Sequence, residues 1–319
     1  MRVLIDPSVA DDAAALRWLT MIQHRFEDQW HLWEVDDADA MLKTAWLRDP
    51  GHAGISAREV LKKSLVRLGY PTRLHRRAVL VVGQVTDSSE LLELSPEMAA
   101  RFLDQPLVIL LENRRSDGAF LDAVVATLGG DELARHWERQ PCPVRKDSLG
   151  GKGQMLDHVK HQATRMPPPR LLVVRDGDGD GPLHLSPEAL SLQNACQRRG
   201  ISCWLLEKRE VENYLPDSLL EKLAPDSEEM RERLGAWKRL SEEQKDFWDV
   251  RHGLGEIRSQ ERLSLFAKLA RENDRHLLGK GFGTSVSHLW GIRPIDKSGL
   301  RDRAGDELER LLNLICENL

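Results

Sequence analysis

Short apolar runs alternate along this chain with segments whose apolar residues recur every three or four positions, and the two patterns predict strands and helices. Near the amino end, MRVLID and HLWEV have strand length. AVLVV, ended by Gly83, is a third strand by its β-branched content. Ala14–Phe26 and Ala57–Leu68 carry the helical spacing. Ser95-Pro96-Glu97 opens another helix, with serine as cap and proline in the first turn.

From Pro106 the alternation is cleaner. PLVILLE, RLLVVRD and ISCWLLEK are apolar strands, and the first two end in carboxylates. Helices predicted over Asp117–Leu128, Gly153–Thr164 and Ser186–Arg199 follow or separate them. Continuous apolar strands divided by helices predict a mostly parallel sheet covered on both faces. Beyond Pro216 the strands vanish, leaving charged helical patterns at Ser227–Leu240, Ser241–Val250, Ser259–His276 and Asp302–Leu319. The expected architecture is α/β: an N-terminal α/β region over 1–104, a core over 105–216, and a helical C-terminal cap over 217–319.

Composition narrows the function classes. With 319 residues, 41% hydrophobic and 30% charged, the chain is an ordinary globular protein with room for two domains. No run approaches the roughly 20 apolar residues that cross a bilayer. The start meets acid within a few residues, unlike a secretory signal, so a cytoplasmic protein without membrane contact is expected. A net charge of -5 argues against a surface that is basic throughout, but leaves room for a local basic groove. Cys142, Cys196, Cys203 and Cys316 are scattered with no CxxC pair, which predicts reduced thiols and neither a zinc site nor a disulfide framework. The histidines form no HExxH or HxH pattern, so a zinc hydrolase has no support.

Candidate chemistry lies at the strand ends, where open parallel sheets bind their ligands. Glu112 follows LVILL, and Asp176, Asp178 and Asp180 follow LLVV in a DGDGD run. Carboxylates suit hard cations such as Mg²⁺ and Mn²⁺. The interleaved glycines let the backbone turn sharply and aim several acids into one space. Two such ions can activate a water and stabilise the leaving oxygen of a phosphodiester. DGDGDG also begins like a calcium-binding EF-hand, but the twelfth position is Pro187 instead of glutamate, and a strand precedes the loop instead of a helix. After the third strand, LLEKREVENYLP supplies Lys208 or Arg209 as a cation and Glu212 as a further ligand. Read alone, EKRE is a solvated charge run.

Taken together, these segments resemble the Toprim domain, in the branch found in OLD-family nucleases and related phage-defence effectors. LVILLENRRSDGAFL is similar to the first Toprim motif, LLVVRDGDGDG to the second, and WLLEKREVENYLP to the stretch that sets the OLD-like branch apart. SLGGKGQMLDHVKH, between them, resembles the usual Gly-rich loop and helix. The resemblance covers residues near 105 to 216. It implies a Toprim-like, mostly parallel sheet flanked by helices, and Mg²⁺- or Mn²⁺-dependent phosphodiester chemistry. By position, Glu112 is implied as metal ligand or general acid/base, and Asp176 with Asp178 as metal ligands. Lys208 is implied as the catalytic cation and Glu212 as an accessory ligand, with Asp117 and Asp180 as further candidates. Two departures stand out: Asn113 replaces the usual glycine after the first glutamate, and Asp117 lies five residues on where four is common. The chain has no GxxxxGK[ST] loop, so any nucleotide hydrolysis is expected from a separate ATPase partner subunit.

Other features add less. Lys62, Lys63, Arg67, Arg73, His75, Arg76 and Arg77 lie in a stretch with no acid after Val60, the best candidate for a nucleic-acid-binding patch. The bland alternative is a solvated helix face followed by a basic turn. Trp18, Trp30, Trp33 and Trp46 cluster early, and core packing explains them better than base stacking. Asp6 follows the first strand as in a PIN-type nuclease, but no second acidic motif accompanies it. The expected function is a metal-dependent nuclease acting on DNA or RNA, in defence against phage or mobile elements, as a homo-oligomer. The alternative is a non-enzymatic or trigger-dependent Toprim subunit that binds an ATPase partner or nucleic acid. Topoisomerase chemistry is disfavoured, with Tyr70 and Tyr214 the only tyrosines, and no primase apparatus is found.

Overall fold

The computed structural model describes residues 1–319 apart from 71–73, 75–76, 87–90, 151, 163–168, 183, 224–226, 256–258 and 272. Its strands are β1 (Arg2–Ile5), β2 (Leu32–Glu34), β3 (Ala78–Val81), β4 (Leu92–Leu94), β5 (Leu107–Leu111), β6 (Val144–Ser148), β7 (Leu171–Arg175) and β8 (Ser202–Leu205). They form two four-stranded sheets, ordered β2-β1-β3-β4 and β6-β5-β7-β8, and every pairing is parallel. Val3 registers with Trp33 and Val79, and Ile109 with Lys146 and Leu172. The same strand order therefore occurs twice in one α/β chain.

Each sheet carries its own core. Val3, Ile5, Trp33 and Val79 pack with Leu19 and Ile22 of the Leu16–Glu27 helix, Val60 and Leu61 of His52–Leu68, and Phe102 of Pro96–Leu103. Trp33 stacks on Phe26 at 5.6 Å and lies 5.1 Å from Trp46, so these rings fill the core. In the second sheet, Leu110, Leu171 and Val173 meet Val159 of the Lys152–Gln162 helix and Leu192 of Pro187–Arg198. The opposite face, with Ile109, Leu111, Leu172 and Val174, packs on the Ser116–Leu128 helix and on Trp237, Trp248, Trp290, Leu308 and Ile315. Residues 217–319 thus complete the covering of this sheet and share its core.

Among the departures from the sequence pattern are two strands and two C-terminal helices. β4 and β6 lay outside the expected strands, since β4 has three residues and β6 (VRKDS) buries only Val144 fully. The expected Ser259–His276 helix is two short ones, Gln260–Leu265 and Asp274–Leu278. Between them the Asp274 carboxylate accepts the Arg271 backbone N–H at 3.0 Å, a local bond that competes with a continuous helix. The expected Asp302–Leu319 helix breaks at Gly305, whose φ of 57° ends Lys297–Ala304 before Glu307–Asn318 begins.

The sheets meet at the starts of their strands. Met1, Arg77, Ala78, Leu107, Arg170 and Leu171 line a cleft of about 430 Å³ between them. Arg170 donates to the Gln105 carbonyl at 2.6 Å and to Leu319 O at 3.2 Å, and Arg77 donates to the Ser202 hydroxyl at 3.0 Å. Both carboxyl edges therefore lie away from the junction. Among the described residues no helix is long and apolar enough to cross a membrane.

Candidate functional site

Because β5 and β7 are parallel neighbours, the residues that follow them emerge side by side. Glu112 follows β5, and the Asp176–Asp180 loop follows β7. The loop's left-handed residue is Asp178, at φ 50°, a conformation that aspartate tolerates better than most side chains. The glycines serve close approach instead: a Cβ on Gly177 would lie 2.4 Å from Leu206 O, and one on Gly179 would lie 2.1 Å from His184 O. This corrects the expectation that the glycines make the turn.

The chain after β8 folds back over this loop. Glu210 caps the short 3₁₀ helix Val211–Tyr214, and Asn213 returns a bond to the Glu210 backbone N–H at 2.9 Å. The Asn213 side chain also donates to the carbonyls of Lys245 (2.7 Å) and Trp248 (2.9 Å), fixing the turn to the C-terminal helices. The turn then delivers the Val211 N–H to Asp176 Oδ1 at 3.0 Å. Glu212 is buried beneath it. The Ser287 hydroxyl donates to Glu212 Oε1, while Oε2 lies 3.9 Å from Arg251 Nε and has no hydrogen-bond partner among the described residues.

Crowding of like charge dominates the electrostatics. Burial, then the charges of Asp117, Glu212, Glu210 and Asp178, push the Asp176 pKa well above the usual carboxylate range. Glu210 is raised to about 7 by burial and by Glu212, although Arg251 grips it at 2.7 and 2.9 Å and opposes the shift. Burial also raises Asp117, against bonds from the Asn113 N–H (2.8 Å) and the Ser116 hydroxyl (2.7 Å). Two guanidiniums answer these acids. Arg175, fully buried, places Nη2 3.1 Å from Asp178 and Nε 3.7 Å from Glu112. Burial pulls Arg251 down, but Glu210 and Glu212 outweigh it and hold it protonated.

Among the predicted residues, Asp117, Asp176, Asp178 and Glu212 come together, and Arg175 ties Glu112 to Asp178. Asp180 turns to Arg209 at 3.0 Å. The Lys208 ammonium pairs with Asp246 and lies 5.4 Å from the Tyr214 ring centre. Burial, then Arg303, lower its pKa while Asp246 opposes them. Among the described residues, the cations that touch Glu112, Asp178, Glu210 and Glu212 are Arg175 and Arg251. In the basic stretch, Lys62 and Lys63 are exposed, and Arg67 faces a 320 Å³ cleft with Arg135, His136 and Arg139. Arg77 is held at the junction. Arg73, His75 and Arg76 lie outside the described residues.

Sequence reasoning missed Glu210, Arg175, Arg251, Ser116 and Ser287. Glu210 had a faint signal, two positions before Glu212 inside a segment that resembles solvated charge. Arg175 ends an apolar strand, the place where a buried cation needs a nearby acid. Arg251 and Ser287 reach the site only through tertiary packing.

Among the described residues, no three Asp, Glu, His or Cys side chains converge as a ready set of metal ligands. The donor chemistry nonetheless fits a hard divalent cation: the donors are all carboxylates, and Glu212 carries an orphaned buried oxygen. Comparison with known protein families, curated proteins and solved structures finds no match to this chain.

Proposed function

We propose that the chain is a Toprim-type, metal-dependent nuclease that hydrolyses nucleic-acid phosphodiesters, in defence against phage or mobile elements. The observation that carries this reading is the crowding of Asp176 with Asp117, Asp178, Glu210 and Glu212 at the carboxyl edge of a parallel sheet. A purely structural core has no use for such an accumulation, which costs stability. Asp176, Asp178, Glu112 and Glu212 would hold Mg²⁺ or Mn²⁺. When bound, the ion supplies charge neutralisation and an acidified water. The residues of the chain do the rest. Val211 N–H orients Asp176, Arg175 holds Glu112 and Asp178 in register, and Arg251 stays charged beside Glu210. The family resemblance adds a separate ATPase partner to the proposal, and a homo-oligomeric assembly is the general expectation for a soluble chain.

A second reading, a subunit that binds an ATPase or nucleic acid without cutting until triggered, rests on one observation. Arg175 and Arg251 already bridge the carboxylates, and a metal would have to displace or share those contacts. The test is cleavage of plasmid DNA, single-stranded DNA and total RNA with Mg²⁺ or Mn²⁺, comparing wild type with Glu112→Ala and Asp176→Ala. Cutting by the wild type alone is the expected outcome. No cutting under any condition moves the weight to the triggered subunit.

A further inference from the structure

A cleft of about 380 Å³ opens beside the acids, lined by Asn113, Arg115, Ser116, Arg251, Ser287 and His288 among others. Its remaining lining, Ala119, Thr284 and Gly291, brings no carboxylate, so the cleft is cationic and hydroxylic while its neighbour is acidic. Three lining residues form the partition between the two. Ser116 donates to Asp117 at 2.7 Å, Ser287 donates to Glu212, and Arg251 donates to Glu210 at 2.7 Å. Whatever occupies the cleft therefore sits one side chain away from the carboxylates.

The polar groups across the cleft are uncommitted. The Arg115 backbone N–H is held by Asn113 Oδ1 at 2.9 Å, which fixes the start of the Ser116–Leu128 helix, but its exposed guanidinium forms no ion pair or hydrogen bond among the described residues. The same is true of the exposed His288 imidazole, on the Thr284–Gly291 segment opposite. Fixed backbones presenting free donors from two sides, with no acid between them, match an anion. The volume exceeds that of a phosphate and admits an attached sugar.

We propose that this cleft is a phosphate subsite, in which Arg115, His288 and Arg251 seat a backbone phosphate of a nucleic-acid strand adjacent to the bond presented to the acids. The proposal rests on the nuclease reading for its role, but not for its test. Guanidinium and imidazole donors recognise phosphate through charge-assisted bonds, and each such bond contributes to salt-dependent affinity.

The experiment measures binding without cleavage. A fluorescent single-stranded dodecathymidylate is titrated with the full chain in EDTA over a series of NaCl concentrations. Wild type is compared with Arg115→Ala and His288→Ala, with inorganic phosphate and a nucleoside monophosphate as competitors. Both side chains are exposed, so neither substitution removes core packing. The expected result is about tenfold weaker binding for Arg115→Ala, the order of one charge-assisted hydrogen bond. Its slope of log affinity against log salt should also be smaller by about 0.7, the value for one phosphate on a single strand. Equal affinity and equal slope in wild type and both variants overturns the subsite, as does failure of the wild type to bind the strand. Competitors that bind in an Arg115-dependent way while the strand does not would make it a site for free phosphate and overturn the strand assignment. If binding behaves as expected but no metal supports cutting, the subsite stands and the nuclease reading falls. If the enzyme cuts and Arg115→Ala leaves KM unchanged, the nuclease stands and the subsite falls.

Discussion

The two sheets have the same strand order and the same parallel sense, yet they treat acids at their strand ends in opposite ways. In the first sheet, Asp6 after β1 accepts the Ser8 N–H at 2.8 Å and the Ser8 hydroxyl at 2.6 Å, capping a short helix. Glu34, which ends β2, pairs with Arg2 at 3.0 Å. Each of these two acids has an ordinary partner, Asp6 within its own turn and Glu34 on the neighbouring strand. In the second sheet, Asp117, Asp176, Asp178, Glu210 and Glu212 press on one another, and Arg175 and Arg251 only partly offset them. Strand-end position alone therefore does not define a site. Burial combined with unbalanced like charge separates the two edges.

Asp176→Asn probes that difference most strongly. Asparagine keeps the oxygen that accepts from Val211 and cannot ionise, so its thermal stability relative to wild type should rise as pH rises, because the variant escapes the cost of charging a buried carboxyl. Cleavage should fall together with that gain, by more than about 100-fold. Calorimetry and the cleavage assay on the same preparations check both. A loss of stability instead would make Asp176 a structural acid like Asp6.

The next effect is in pH. Glu210 has its pKa raised from 4.5 to about 7 in the folded state, so the native protein holds this proton more tightly than the unfolded chain does. The stability it contributes is complete below about 4.5 and is lost as pH rises toward 7, by at most about 1.4 kcal/mol per pH unit. Urea unfolding in EDTA should show this decline, and Glu210→Gln should flatten it. Added Mg²⁺ should stabilise more at pH 8 than at pH 5, because protons and cations compete for the same oxygens.

In the first sheet, Asp6→Ala should cost about 0.5–2 kcal/mol, the usual loss of a helix cap, and leave cleavage unchanged. A fall in kcat would erase the contrast between the edges. The smallest effect belongs to Lys62 and Lys63. Their reversal to glutamate should change the salt slope of nucleic-acid binding by about one unit or less for each phosphate that the lysines neutralise. No change dismisses that helix face as a nucleic-acid surface.

Much of the framework was legible because parallel sheets impose a visible pattern: strands buried on both faces read as unbroken apolar runs, as in LVILL and LLVV. The acids were legible because they sit next to those runs in sequence. Edge strand β6 was not, since only Val144 of its five residues is fully buried. For Lys208 the pattern places the backbone but not the ammonium. Its position beside β8 is local, but where its ammonium points depends on Asp246, 38 residues on. Arg251 and Ser287 left no trace in the pattern, because a side chain that reaches a site across a core obeys no spacing rule.

The sharing of one core between the second sheet and residues 217–319 sets an order on how the protein can be made. The first sheet has all of its apolar partners by residue 103 and can fold while the rest of the chain is still being synthesised. The second cannot: its acids leave the ribosome well before Trp248, Trp290 and Ile315, which cover the sheet, and before Arg251 and Ser287, which grip Glu210 and Glu212. A nascent chain therefore carries the carboxylates without the enclosure that crowds them, and the site assembles only after the segment through Ile315 has emerged.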